Sequence, residues 1–138
     1  MHKLPDMPMD MSGSGDNGEE MIENPVRKLS SVKPIGMLCG KAFEISEAKD
    51  FANMSIAVVE VLDAPTHYHK KMMEFYYILE GKGRVKLNGK LYSVEKDTTV
   101  LIEPLVKHSL TSAAKSPIKL IAITTPAFDS KDEFPVNE

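Results

Sequence analysis

The chain has 138 residues, and its 17 Lys and Arg against 20 Asp and Glu leave a formal net charge of −3. That length suggests one domain, and the lack of a basic stripe removes nucleic acid from the expected partners. No apolar run approaches the roughly 18–20 residues of a membrane span. Cys39 is the only cysteine, no apolar secretory leader opens the chain, and a soluble cytoplasmic protein is expected.

Residues 1–25 are rich in Met, Pro, Gly, Ser and acids, with no period of two or of 3.6. Such a segment buries too little apolar surface to offset its ordering entropy, so a disordered tail is expected there. The folded domain is expected over residues 26–136. Within it, residues 46–51 allow a single helical turn. Residues 54–62 read as a strand, and residues 74–79 as another. Residues 84–88 alternate polar and apolar and meet Asn88-Gly89, a strong hairpin signal, from which residues 90–94 return. Residues 98–102 and 118–124 complete the clear strands, and residues 109–112 offer a further one. Closely spaced strands with turn signals between them predict a sandwich or barrel.

The strand over residues 74–79 places Glu74, Tyr76 and Ile78 on one face and Phe75, Tyr77 and Leu79 on the other. Both faces are largely apolar or aromatic, so the outer one should be covered. Two covers are expected alternatives. One is a second subunit in a homodimer, by sheet-on-sheet packing or exchange of an early strand. The other is the segment 38–47 of the same chain, apolar at Leu38, Ala42, Phe43 and Ile45.

Of the four histidines, His2 lies in the tail and the others are His67, His69 and His108. His67 and His69 are two apart, so on a strand both imidazoles project from one face. Glu74 opens the next strand and His108 opens a later one. By spacing alone two readings stand: hydrogen-bonded or surface histidines, or ligands of one metal ion.

His67, His69, Glu74 and Gly81 follow the pattern HxH, four residues, Glu, six residues, Gly, which resembles the first sequence motif of the cupin family. Residues 96–108, ending in His108, resemble the second motif, and residues 124–134 resemble the tail of many small bacterial-type members. The resemblance spans about residues 54–135. The family usually has Gly where Val61, Asp97 and Leu105 stand and Pro where Glu103 stands, all turn positions. The resemblance implies an all-β fold, a single cupin-type jelly-roll β-barrel. It also implies one divalent transition metal ion held inside by His67, His69, Glu74 and His108. Three imidazoles and one carboxylate suit Fe, Mn, Ni, Cu, Co or Zn rather than Ca or Mg.

The expected partner is a small-molecule substrate, and the function expected is metal-dependent chemistry of the dioxygenase type. The alternatives are an oxygen-independent lyase or isomerase with Tyr76 as base, and a metabolite-binding cupin without turnover. Tyr76 shares the face of Glu74 and is the candidate catalytic residue, against a core tyrosine with a hydrogen-bonded hydroxyl. Lys70, Lys71 and Lys107 beside the ligands would suit an anionic substrate, against plain solvated lysines. Met72 and Met73 read as cavity walls or as core filling.

Overall fold

Runs of alternating side chains become strands wherever one face can be buried. The computed structural model describes residues 21–37 and 40–137, so most of the expected tail, Leu38 and Cys39 lie outside the described residues. The strands are β1 (Ile35–Met37), β2 (Gly40–Ser46), β3 (Ser55–Val61), β4 (Asp63–Tyr68), β5 (Met73–Glu80) and β6 (Gly83–Leu87). They continue as β7 (Lys90–Val94), β8 (Thr99–Ile102), β9 (His108–Ser112), β10 (Ile118–Thr125) and β11 (Phe134–Pro135). The turn expected over residues 46–51 is present, closed by the Asp50 and Phe51 N–H groups donating to the Glu47 carbonyl at 2.9 and 3.2 Å. No helix among the described residues is long and apolar enough to cross a membrane.

Two antiparallel sheets form, a six-stranded one in the order β1-β2-β3-β10-β5-β8 and a five-stranded one in the order β11-β4-β9-β6-β7. From β3 onward the chain changes sheet at nearly every connection, the β6–β7 hairpin being an exception. This is the jelly-roll path, and the expected all-β jelly-roll is the fold observed. The hairpin turns on Asn88 and Gly89, both at positive φ, as a two-residue primed turn requires. Asp97 and Leu105, where the related motif usually carries Gly, also hold positive φ, at 65° and 74°. The left-handed turns are therefore kept without the residue that adopts them most easily.

The core lies between the sheets. Strand β10 alternates strictly, with Ile118, Leu120, Ala122 and Thr124 inward. Ile118, Leu120 and Ile78 from the large sheet meet Val85 and Leu110 from the smaller one. Each such fully buried aliphatic side chain contributes about 1.5–3 kcal/mol relative to exposure. At Gly83 an added Cβ would collide with the Thr111 carbonyl and the Ile118 side chain, so the strands close only around glycine there. This packing fills one end of the sandwich. The other end, where β4 finishes and β5 and β9 begin, is left to polar side chains.

The outer face of β5 is not covered by β2. Strand β2 pairs edge-on with β3 and extends the same sheet, with Ala42 buried inward. Its Phe43 lies opposite Val58, so it adds to the outer apolar face instead of covering it.

Candidate functional site

Sheet register brings the chemistry-bearing side chains together. His67 on β4 lies directly opposite His108 on β9, and their ring centroids are 4.2 Å apart. His69 follows two residues after His67, with its ring 5.1 Å from that of His67. Glu74 reaches in from β5 of the facing sheet, so the group spans the sandwich. All four side chains are buried, and their ligand-type atoms lie within 4.8 Å of one another. Glu74 Oε1 is 3.0 Å from His69 Nε2 and 3.1 Å from His108 Nε2.

The second nitrogen of each ring is already used. His67 Nδ1 donates to the Pro65 carbonyl at 2.9 Å, His69 Nδ1 to the Asp132 carbonyl at 2.7 Å, and His108 Nδ1 to the Val106 carbonyl at 2.9 Å. A carbonyl only accepts, so each Nδ1 carries a proton and each Nε2 is left to bear a lone pair. A lone-pair nitrogen 3.0 Å from a carboxylate oxygen needs a cation between them, either a proton or a metal ion. This donor chemistry fits a metal site, with the outward hydrogen bonds that orient ligating imidazoles.

The electrostatics agree. Burial and the neighbouring His108 lower the His67 pKa to about 4, which keeps that ring neutral. Burial also opposes charge on His69, but the adjacent Glu74 carboxylate outweighs it and raises the pKa. Burial pushes Glu74 upward, yet His108 and His69 prevail and hold it at about 2. Beside this group lies a cavity of about 60 Å³, lined also by Tyr76, Ser46, Glu44, Phe128 and Glu133. That is room for a few waters or a small organic molecule.

The Cupin domain family model matches residues 57–124. A protein from Planctomyces limnophilus of known crystal structure is 28% identical with a TM-score of 0.72, over 79% of this chain and 94% of that one. This chain belongs to the cupin superfamily. Pac13, a nucleoside dehydratase from Streptomyces, shares the cupin fold at a TM-score of 0.68 and 14% identity, over 81% of this chain and 90% of that one. An uncharacterised protein of Methanocaldococcus jannaschii is 32% identical over 66 residues, which is 48% of this chain and about half, 53%, of that relative.

Tyr76 of the cupin lines the cavity, with its hydroxyl 3.5 Å from Glu74 Oε1, longer than a strong hydrogen bond. Lys70, Lys71 and Lys107 are exposed and none of them lines the cavity, nor does Met72 or Met73. The anion attraction expected from those lysines therefore has no counterpart in the cavity wall.

Two residues of the C-terminal strap escape sequence reasoning. Asp132 is buried, and its carboxylate accepts the N–H groups of Lys70, Lys71 and Met72 at 2.8, 3.0 and 2.9 Å. It thereby fixes the turn between His69 and Glu74 while its carbonyl orients His69. Burial opposes the Asp132 charge, but those N–H groups hold its pKa below the ordinary value. Glu133 places Oε2 3.8 Å from His67 Nε2, and its burial raises its pKa. The strap is held because β11 pairs with β4, Phe134 opposite Tyr68, with the two rings stacked at 5.3 Å. The Phe–Pro strand carries too little alternation to signal that pairing.

Proposed function

We propose that this cupin binds one divalent transition metal ion, of Fe, Mn, Co, Ni, Cu or Zn, on His67, His69, Glu74 and His108, and is an oxygen-independent lyase or isomerase acting on a small organic molecule. When bound there, the ion supplies Lewis-acid polarisation of a substrate oxygen. The observation that carries the reading is Tyr76, whose hydroxyl faces the cavity 3.5 Å from Glu74 Oε1. As phenolate, Tyr76 would take a proton from a substrate carbon, and as the phenol so formed it would return that proton to a leaving oxygen. Glu133, near His67, lines the same cavity. Pac13 is a dehydratase on the same fold, which supports elimination chemistry here by fold-level analogy. A cytoplasmic setting accompanies this reading, on the single cysteine.

The test begins with elemental analysis of protein purified without added metal. The metal-loaded protein is then incubated in D2O with small hydroxy acids and enolisable carbonyl compounds, with oxygen monitored in parallel. Deuterium incorporation or water loss without oxygen uptake is expected. Tyr76→Phe should slow it by about 10²–10⁴-fold with metal content unchanged. Oxygen uptake that survives Tyr76→Phe would replace this reading with the dioxygenase one. Ligand binding without turnover would leave a metabolite-binding cupin.

A further inference from the structure

Apart from the four-ligand group, the charges on the cavity wall are of one sign. Glu44 and Glu133 line it, and no Lys or Arg among the described residues does. Glu44 lies on β2 opposite Ala57, another lining residue. It also borders two surface hollows, which places it at the cavity's entrance. Glu133 stands at the inner end, 3.8 Å from His67 Nε2.

Neither carboxylate forms an ion pair with a Lys or Arg among the described residues; Lys70 instead sets its Nζ 4.4 Å over the Phe134 ring. With a divalent ion on the four-residue group, Glu74 and Glu133 offset its two charges and Glu44 leaves the cavity net negative, at a cost to the empty protein. A cationic ligand removes that cost, whereas an anionic one adds to it.

We infer that the cavity takes a small molecule bearing an ammonium group, with its oxygen donors toward His67, His69, Glu74 and His108 and its cationic end toward Glu133, drawn in past Glu44. The inference rests on the metal reading above and narrows it to a substrate class. The carboxylate at the entrance steers cations inward and loses this effect as salt rises. The cavity of about 60 Å³ suits a small ligand.

The experiment uses the full chain loaded with Zn(II), and calorimetry with three 2-hydroxy acids that share one metal-binding end. Isoserine carries an ammonium at the other end, 2-hydroxybutyrate a methyl group of similar size, and malate a carboxylate. Isoserine should bind about tenfold more tightly than 2-hydroxybutyrate, as a charge-assisted hydrogen bond provides, and malate should bind weakest. In Glu133→Gln and Glu44→Gln that preference should fall several-fold while zinc content holds. Equal binding of isoserine and 2-hydroxybutyrate, tighter binding of malate, or a preference unchanged in both variants overturns the inference and leaves the metal reading standing. Zinc lost from Glu133→Gln would make Glu133 a ligand and also overturn it. Failure of the wild-type chain to bind zinc or any of the other five ions would defeat the metal reading, and the inference with it.

Discussion

Asp132 does for this site what no residue near the ligand motif does. Its carboxylate gathers three consecutive N–H groups from Lys70 to Met72. The four-residue turn between His69 and Glu74 is thereby held in one shape. An asparagine keeps one acceptor but turns an amide toward those donors. Asp132→Asn should therefore cost about 1–3 kcal/mol in urea unfolding. It should also weaken metal binding by about 10–100-fold in chelator competition. His69→Ala removes a donor atom outright and should cut metal content sharply and lower the melting temperature. Wild-type metal affinity in Asp132→Asn would reduce that residue to a structural role. His67, His69, Glu74 and His108 could be read as one set because they match the cupin motifs, while spacing alone also allowed hydrogen-bonded histidines. Asp132 and Glu133 could not, because Asp132 acts on Lys70, 62 positions earlier, and nothing nearby in the chain marks the meeting.

At the scale of elements, β3, β5, β6, β7, β8 and β10 were legible within one or two residues, since their alternation and flanking turns are explicit. Strand β2 was apparent only as an apolar segment, and β11 not at all. The turn at Leu105 carries a leucine in left-handed backbone, with the side chain 63% exposed. A non-glycine residue there costs about 1–2 kcal/mol, partly offset by the unfolded-state entropy of glycine. Leu105→Gly should thus raise stability by up to about 1 kcal/mol, visible as a higher urea midpoint; a lower one would show that the exposed leucine packs on something. Ahead of β1, Arg27 anchors the early chain on Asp50 at 2.8 Å and on the Ile45 carbonyl at 2.7 Å. The Arg27 hydrogen bonds, with the Glu47 N–H, hold the Asp50 pKa well below the ordinary carboxylate range. That pair stabilises the fold fully above about pH 4, where the unfolded aspartate is ionised, and its contribution fades as pH falls toward the depressed folded value. The stability gap between wild type and Asp50→Asn should consequently narrow between pH 7 and pH 3. A gap of constant size would assign the pair no linkage. A chain starting at Val26 keeps this anchor, and we expect it to melt within a few degrees of full length with its metal content intact.

For the whole molecule, the jelly-roll was legible because strand spacing and family motif agree, but the outer face of the six-stranded sheet was legible only as a question. Its rows are continuous across strands. Phe43, Val58, Ile121 and Tyr77 stand side by side, and so do Ile56, Ile123, Phe75 and Leu101. Tyr77 is 41% and Leu101 57% exposed. A contiguous apolar face of this kind marks an association surface more often than a solvated one. Bordering it, Lys41, Glu60 and Lys119 alternate in sign across neighbouring strands. Such a margin offers each charge an opposite one on an identical face, which suits the two-fold pairing commonest among oligomers. Of the segment 38–47, the candidate for covering the face from within, residues 40–46 enlarge it as β2. We therefore expect a homodimer by sheet-on-sheet packing. Sedimentation equilibrium at micromolar concentration should give twice the 15.3 kDa of one chain. Ile121→Glu places a charge at the centre of the face without entering the core, and should return the single-chain mass with metal content retained. A wild-type mass of 15.3 kDa would show that the chain tolerates this face in water. A dimer that persists in Ile121→Glu would move the contact to another surface, the exposed edge of β8 or β7 being the next to test.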